Sequence, residues 1–204
     1  MERLRKDLIT ICRLCLMTTF IMTAASCTTS KLLPGDLLFH VSPHPNAITS
    51  VTSGMVDHVA VVISSDTVIE AVGQGVVLTP ISELLHQEGQ YQHARLKKKF
   101  DWERTLNNLK TYLGKPYDKL YLPDNDSIYC TELVQISFVN KKGQRIFAPI
   151  PMSFHDESGH ITAYWRNFYQ QYHMEVPEGQ PGTNPNEMIL RPELRSLGIL
   201  KNVQ

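Results

Sequence analysis

The stretch "DHVAVVISSDTVIEAVGQGVVLT" (57–79) constrains this chain more than any other. Three short runs rich in valine and isoleucine are separated by "SSD" and "GQG", spacers too short to hold a helix. β-Branched side chains are stiff at χ1 and fit a pleated surface, while Gly, Ser and Asp supply the turns. The stretch therefore predicts an antiparallel meander with strands at "DHVAVVIS", "TVIEAV" and "VVLT". A Pro-Gly turn before "GDLLFHV" (35–41) predicts a further strand, and "YQHARLKKK" (91–99) another.

The register of the first hairpin decides which polar side chains meet. With the turn centred near 64–66, His58, Ala60 and Val62 lie opposite Val72, Glu70 and Val68 and share one face. Glu70 then sits diagonal to His58. A slip of one residue carries Glu70 to the other face. An ionised carboxylate inside the apolar run "VIEAV" is costly unless it is paired, so the hairpin predicts a His58–Glu70 pair.

Helices are expected after the meander. Thr79 as N-cap and Pro80 at the first helical position predict a short one over "TPISELLHQ". "DWERTLNNLKTYLG" opens on the cap residue Asp101 and presents Trp102, Leu106, Leu109 and Leu113 as one apolar face; Gly114 and Pro116 end it. "YCTELVQISFVN" predicts a helix starting near Cys130, with Leu133, Val134, Ile136, Phe138 and Val139 covering most of its circumference, hence a buried one. From 141 onward the chain is less regular. "AYWRNFYQQYH" (163–173) reads as an aromatic helix, and "MSFHD" and "VPEGQPGTNPNE" as loops closing over a cleft. The class is α+β.

The first 26 residues read as an export signal. "MERLRKD" is basic, "LCLMTTFIMTAA" is apolar and uncharged, and "TAASC" places small residues before Cys27. The apolar run is shorter than the roughly 20 residues of a membrane span. A cysteine directly after the small residues resembles a bacterial lipoprotein signal, with Cys27 lipidated, although Ala24 stands where leucine is usual. The expected organisation is a signal at 1–26, a tether at 27–33, and one domain over 34–204. That places the protein in the cell envelope, anchored to the membrane at its periplasmic or outer-membrane face. Cleavage removes Cys12 and Cys15, whose spacing is then no redox or metal pair, and Cys130 remains as the only free thiol. It also removes Arg3, Arg5, Lys6 and Arg13 against Glu2 and Asp7, which tips a neutral chain slightly acidic. No basic field for nucleic acid is left.

Cys130 is placed for nucleophilic chemistry. Unpaired N–H groups and the helix dipole at a helix N-terminus favour a thiolate, and a nearby imidazolium favours it further. Of eight histidines, His58 begins the strongest strand, where a rigid backbone aims it. Cys130, His58 and Glu70 thus form a candidate nucleophile, general base and orienting carboxylate. Tyr117, in "GKPYD", and Tyr129, just before the nucleophile, are candidate substrate-binding residues. Glu132 is read as structural, Asp57 and Asp118 as turn or cap residues, and "HDESGH" (155–160) as a solvated loop with no metal.

In their order, "PGDLLF", "DHVAVVI", "VIEAV", "GKPYD" and "YCTELV" resemble the YiiX/YebB-like branch of the NlpC/P60 superfamily, the circularly permuted papain-like cysteine hydrolases. Histidine precedes cysteine here, the reverse of an ordinary papain-like enzyme. The resemblance implies a β-meander or small barrel packed on a central cysteine-bearing helix, with Cys130, His58 and Glu70 as catalytic residues and no cofactor. It implies hydrolysis of an amide, such as a cell-wall peptide or peptidoglycan fragment, through an acyl-enzyme. Two rivals share the fold: a non-catalytic envelope lipoprotein binding an amino acid or peptide, and a lipid-directed thioesterase or acyltransferase.

Overall fold

The computed structural model describes residues 31–200; the expected signal at 1–26, with Cys12 and Cys15, and Cys27 lie outside the described residues. The meander forms as the hairpin spacing predicts. Strands β1 (Leu37–Val41), β2 (Val56–Val62), β3 (Thr67–Val72) and β4 (Gly75–Pro80) are followed by β5 (Gln90–Leu96). Val61 pairs with Ile69 and Val62 with Val68, the register that puts His58 and Glu70 on one face. Gly75 makes the tight turn into β4: its φ is +106°, and a Cβ there would meet the Lys115 carbonyl at 2.4 Å.

Chain order and sheet order differ. The six strands are arranged β4-β3-β2-β1-β5-β8, so β1 lies between β2 and β5, and every pairing is antiparallel. The last strand, β8 (Leu194–Leu200), comes from the tail and pairs with β5; one extra residue, Leu197, makes a bulge beside Gly198. The predicted strand at 91–99 is thereby shortened, because Lys97, Lys98 and Lys99 lie beyond its end. A two-stranded sheet of β6 (Ile150–Pro151) and β7 (Pro181–Gly182) stands apart from the main one.

Residues 59–62 are all buried, as a continuous apolar run must be when both sheet faces are covered. One face carries Leu37, Phe39, Val61 and Ile69 against α2 (Trp102–Thr111) and α3 (Cys130–Ser137). Leu133, Val134 and Phe138 are each at most 1% exposed. Burial of this kind contributes about 1.5–3 kcal/mol per side chain, so packing decides where α3 sits. The other face packs Leu38, Ala60, Val62 and Val68 against α1 (Ile81–Leu84). A third cluster of Met152, Phe154, Trp165 and Tyr169 is built around α4 (Ala163–Gln171).

Three local expectations are corrected. Thr79 and Pro80 belong to β4, and α1 begins at Ile81 without a side-chain cap; the Thr79 hydroxyl serves Glu70 instead. α2 ends at Thr111, which leaves Leu113 outside the helix and 40% exposed. α3 stops at Ser137 because Phe138 turns to extended backbone.

A buried polar knot ties the chain's entry to the sheet. The Asp36 carboxylate accepts from Arg95 Nε at 2.5 Å and Nη2 at 2.7 Å, from Leu33 N at 2.8 Å, and faces His93 Nε2 at 2.7 Å. Burial alone raises the Asp36 pKa; the bonds from Arg95, His93 and Leu33 more than reverse it, leaving it below the ordinary range. Asp36→Ala removes the buried carboxylate that the half-buried Arg95 grips with two nitrogens and that faces His93, so urea unfolding is expected to show a loss of about 3–5 kcal/mol. A depressed carboxylate stabilises the fold above its unfolded value, near 3.9. That contribution is expected to vanish in acid unfolding as pH falls below this value through the folded pKa.

Candidate active site

α3 starts at Cys130 itself, with Tyr129 as the extended N-cap residue. The thiol is therefore at the end of the helix whose first N–H groups have no partner in their own helix. Cys130 is 3% exposed, and α3 packs directly on β2 and β3. These strands deliver the other two polar groups. His58 Nε2 lies 2.6 Å from Glu70 Oε2, and the same imidazole is within electrostatic reach of the Cys130 thiol. Because Nε2 is taken by the carboxylate, Nδ1 is the nitrogen left for the sulfur.

The electrostatics follow from these contacts. Burial disfavours a charged imidazole at His58. Hydrogen bonds and charges from Cys130 and Glu70 more than compensate and raise its pKa to about 10. Burial raises the Glu70 pKa, but the bond and charge of His58, with help from the Thr79 hydroxyl, bring it below the usual range. Glu70 is thus an ionised carboxylate with a 3% exposed side chain, held by two partners on neighbouring strands. The geometry brings together the three residues that the sequence singled out: a thiol, an imidazole that can exchange a proton with it, and a carboxylate fixing the ring's tautomer.

The two tyrosines separate. The Tyr129 ring lines the cavity beside Cys130, while its hydroxyl accepts from Thr183 N at 3.0 Å. Gly182 lets this happen, since a Cβ there would meet Tyr129 Oη at 2.9 Å and Met152 Cγ at 2.6 Å. Tyr117 lies within the electrostatic reach of Cys130, and its hydroxyl is 3.5 Å from that of Tyr121. Glu132 accepts from Tyr129 N at 3.3 Å, and burial, with the charges of Asp118 and Asp124, pushes its pKa up to about 7. Asp118 accepts from Leu120 N and Leu122 N, the turn role expected of it.

A second histidine–carboxylate pair adjoins the first and was not foreseen. His40 is the cross-strand partner of His58, and the register then shifts so that Asp57 is the extra residue of a bulge. His40 Nδ1 faces Asp57 Oδ1 at 2.6 Å and Nε2 faces the Glu88 carbonyl at 2.7 Å. Both partners are acceptors, so the ring donates from both nitrogens and is an imidazolium. The Asp57 bond is also the main reason its pKa is raised. Asn46 Nδ2 donates to the other Asp57 oxygen at 2.6 Å.

Two cavities flank the cysteine–histidine contact. One, of about 30 Å³, is bordered by Cys130, Tyr129, Val51, Met152, Phe154 and Thr183. The other, of about 440 Å³, is bordered by His58, His40, Asp57, Lys119, Tyr164 and Phe168. Ile48, Tyr121 and Trp165 border both and so stand between them. Of the segments expected near the cleft, residues 152–154 and 183–185 line the smaller cavity. Among the described residues no group of three or more His, Cys, Asp or Glu is placed to hold a metal ion.

The contribution of His58 to stability has a defined window. A raised imidazole pKa stabilises the fold fully below the unfolded value, near 6.5. That stabilisation is lost as pH rises through about 10. Glu70→Gln removes the charge that helps raise it. The His58 titration observed by NMR is expected to move toward neutral pH, and the alkaline loss of stability to move with it.

Comparison with known proteins agrees with this architecture. The family described as permuted papain-like amidase enzyme, YaeF/YiiX, C92 family, matches residues 31–198. The uncharacterized protein YiiX of Escherichia coli (strain K12) is 26% identical over 174 residues, covering 80% of this chain and 84% of that one. A crystal structure described as metalloprotein yiiX from Escherichia coli O157:H7 superposes with a TM-score of 0.68 at 24% identity, over 81% of this chain and 96% of the other. That last likeness is one of fold. With the family match spanning the described domain, the chain belongs to the permuted papain-like amidases of the YaeF/YiiX, C92 family.

Proposed function

We propose that the protein hydrolyses an amide through Cys130, His58 and Glu70. The observation that carries this reading is the single imidazole of His58, paired with a buried carboxylate at 2.6 Å and coupled electrostatically to the Cys130 thiol. With the proton of the Cys130–His58 pair carried on the imidazole, the Cys130 sulfur attacks the amide carbonyl, forming a C–S bond and a tetrahedral oxyanion beside the free N–H groups at the start of α3. His58 then donates its proton to the amide nitrogen as the C–N bond breaks, and the amine leaves. Water attacks the acyl-enzyme with His58 as base, the C–S bond breaks, and the acid is released. Glu70 keeps the ring oriented throughout. Tyr129 and Tyr117 shape the substrate side, and no step is assigned to a metal.

Lipidation at Cys27 would hold this domain at the cell envelope, where peptides and peptidoglycan fragments are the amides at hand. The apolar walls of the Cys130-side cavity, Val51, Met152 and Phe154, favour one second reading, a thioesterase or acyltransferase acting on lipid acyl groups.

Cys130→Ser and His58→Ala are each expected to lower amide turnover by ~10³-fold or more, and Glu70→Gln by less, in assays with peptidoglycan fragments and with acyl esters side by side. Turnover of the esters alone would establish the second reading. Alkylation of Cys130 by iodoacetamide at pH 6 is expected to slow about tenfold in His58→Ala, because the imidazolium that favours the thiolate is gone. Unchanged alkylation in that variant would remove His58 from the mechanism.

A further inference from the structure

A short tether decides which side of the domain meets a membrane. In the anchoring at Cys27 proposed above, on which this inference rests, four residue steps separate Cys27 from Lys31, a reach of at most about 14 Å. A domain of this size is about 40 Å across. It cannot turn freely on such a tether, and the side from which Lys31 emerges is held toward the bilayer.

That side is basic. The Lys31 carbonyl accepts from Arg95 Nη2 at 2.8 Å, and Gly35 packs so closely on Phe100 and Trp102 that a Cβ would meet the Phe100 ring at 2.5 Å. The entering chain thus runs beside residues 95–102, and Lys97, Lys98 and Lys99 in that stretch are all exposed. They border a cavity of about 420 Å³ with Asn140, Arg145 and Glu193, the one carboxylate among its lining residues. Asn140 and Arg145 flank a turn in which Gly143 N donates to the Asn140 carbonyl at 2.9 Å, and the exposed Lys141 and Lys142 lie on that turn. Among the described residues none of these six cations is in an ion pair. Leu33, at the entry, is 42% exposed and adds an apolar contact.

The catalytic residues stand at the other end of the same elements. Strand β1 runs from Leu37, near the entry, to His40, the partner of His58. β5 is antiparallel to it, so that Leu96, just before the three lysines, lies toward the Leu37 end. α3 repeats the arrangement, with Cys130 at its start and Ser137, three residues before Asn140, at its close.

We propose that this basic side is a contact surface for anionic phospholipid: Lys97, Lys98, Lys99, Lys141, Lys142 and Arg145 meet lipid phosphates, and the cleft is thereby turned to the aqueous side. Cations near an anionic leaflet each favour such contact, and salt weakens it.

The test uses the full-length protein, purified from the membranes of the cells that make it. It is placed on vesicles of phosphatidylcholine, and on vesicles of equal parts phosphatidylcholine and phosphatidylglycerol. Acetylation by sulfo-N-hydroxysuccinimidyl acetate is read lysine by lysine by mass spectrometry, together with the mass of the N-terminal peptide. Lys97, Lys98, Lys99, Lys141 and Lys142 are expected to react about fivefold more slowly on the phosphatidylglycerol vesicles, the worth of one cation near an anionic surface. Lys110 and Lys119 should react alike on both, as should Cys130 with iodoacetamide. Lys97→Ala, Lys98→Ala and Lys99→Ala combined in one chain should abolish the protection of Lys141 and Lys142. The combination Lys97→Arg, Lys98→Arg and Lys99→Arg should keep it. Protection that is equal on the two vesicle types, or that extends to Lys110 and Lys119, overturns the proposal. Protection by isolated peptidoglycan but not by phosphatidylglycerol also overturns it and assigns the surface to the wall polymer. An acyl chain on Cys27 without lysine protection leaves the anchor standing and the proposal lost. Lysine protection without that acyl chain supports the surface and removes the anchor, and absence of both removes both.

Discussion

The bond between His58 and Glu70 is the contact around which the site is organised. It crosses a hairpin whose turn sets the pairing of Val61 with Ile69 and Val62 with Val68, so the site inherits its precision from backbone hydrogen bonds of the sheet. A carboxylate this deep in an apolar sheet is tolerated because a cation and a hydroxyl meet it. The carboxylate in turn keeps the imidazole charged and aimed. Cys130 is brought to the opposite edge of that ring by a helix held in place by Leu133, Val134 and Phe138. Core packing and chemistry therefore share the same few elements, and a change in the packing of α3 moves the nucleophile.

This much of the molecule was legible in the chain because it is local or strongly periodic. The residues of the hairpin lie no more than 12 positions from their partners, and β-branched runs leave little choice of conformation. Cys130 at a helix start could be read from an apolar run following an acidic turn. Thr79 shows where local logic fails. Its position before proline suits a helix cap, yet the hydrogen bond it makes is to Glu70 on the adjacent strand, a partner set by the pairing of β3 with β4 and not by the residues beside it. The His40–Asp57 pair was hidden for a similar reason. It needs a bulge at Asp57 and the insertion of β1 beside β2, neither of which is written in the composition of either strand.

The cleft walls were the least legible part. Met152, Phe154, Trp165 and Thr183 come from segments far from Cys130 in the chain, and apolar residues in loops look alike whether they fill a core or line a site. Aromatic enrichment in "YWRNFY" was the one usable signal. It pointed to a rim without saying that Trp165 would stand between two cavities of different size and character. The order of histidine before cysteine carried more information than any wall residue, because connectivity is a property of the chain itself.

The C-terminal strand has a consequence beyond completing the sheet. Without β8 the edge of β5 would present a row of unpaired N–H and C=O groups, a template for another molecule's strand. β8 covers that row and becomes the edge in its place, but with a bulge at Leu197, the kinked Gly198 and the exposed Arg195. At the far side β4 begins at Gly75 and ends at Pro80, which has no N–H to donate. Both margins of the sheet are thus poor partners for edge-to-edge association, and the fold carries its own protection against aggregation in its two outermost strands.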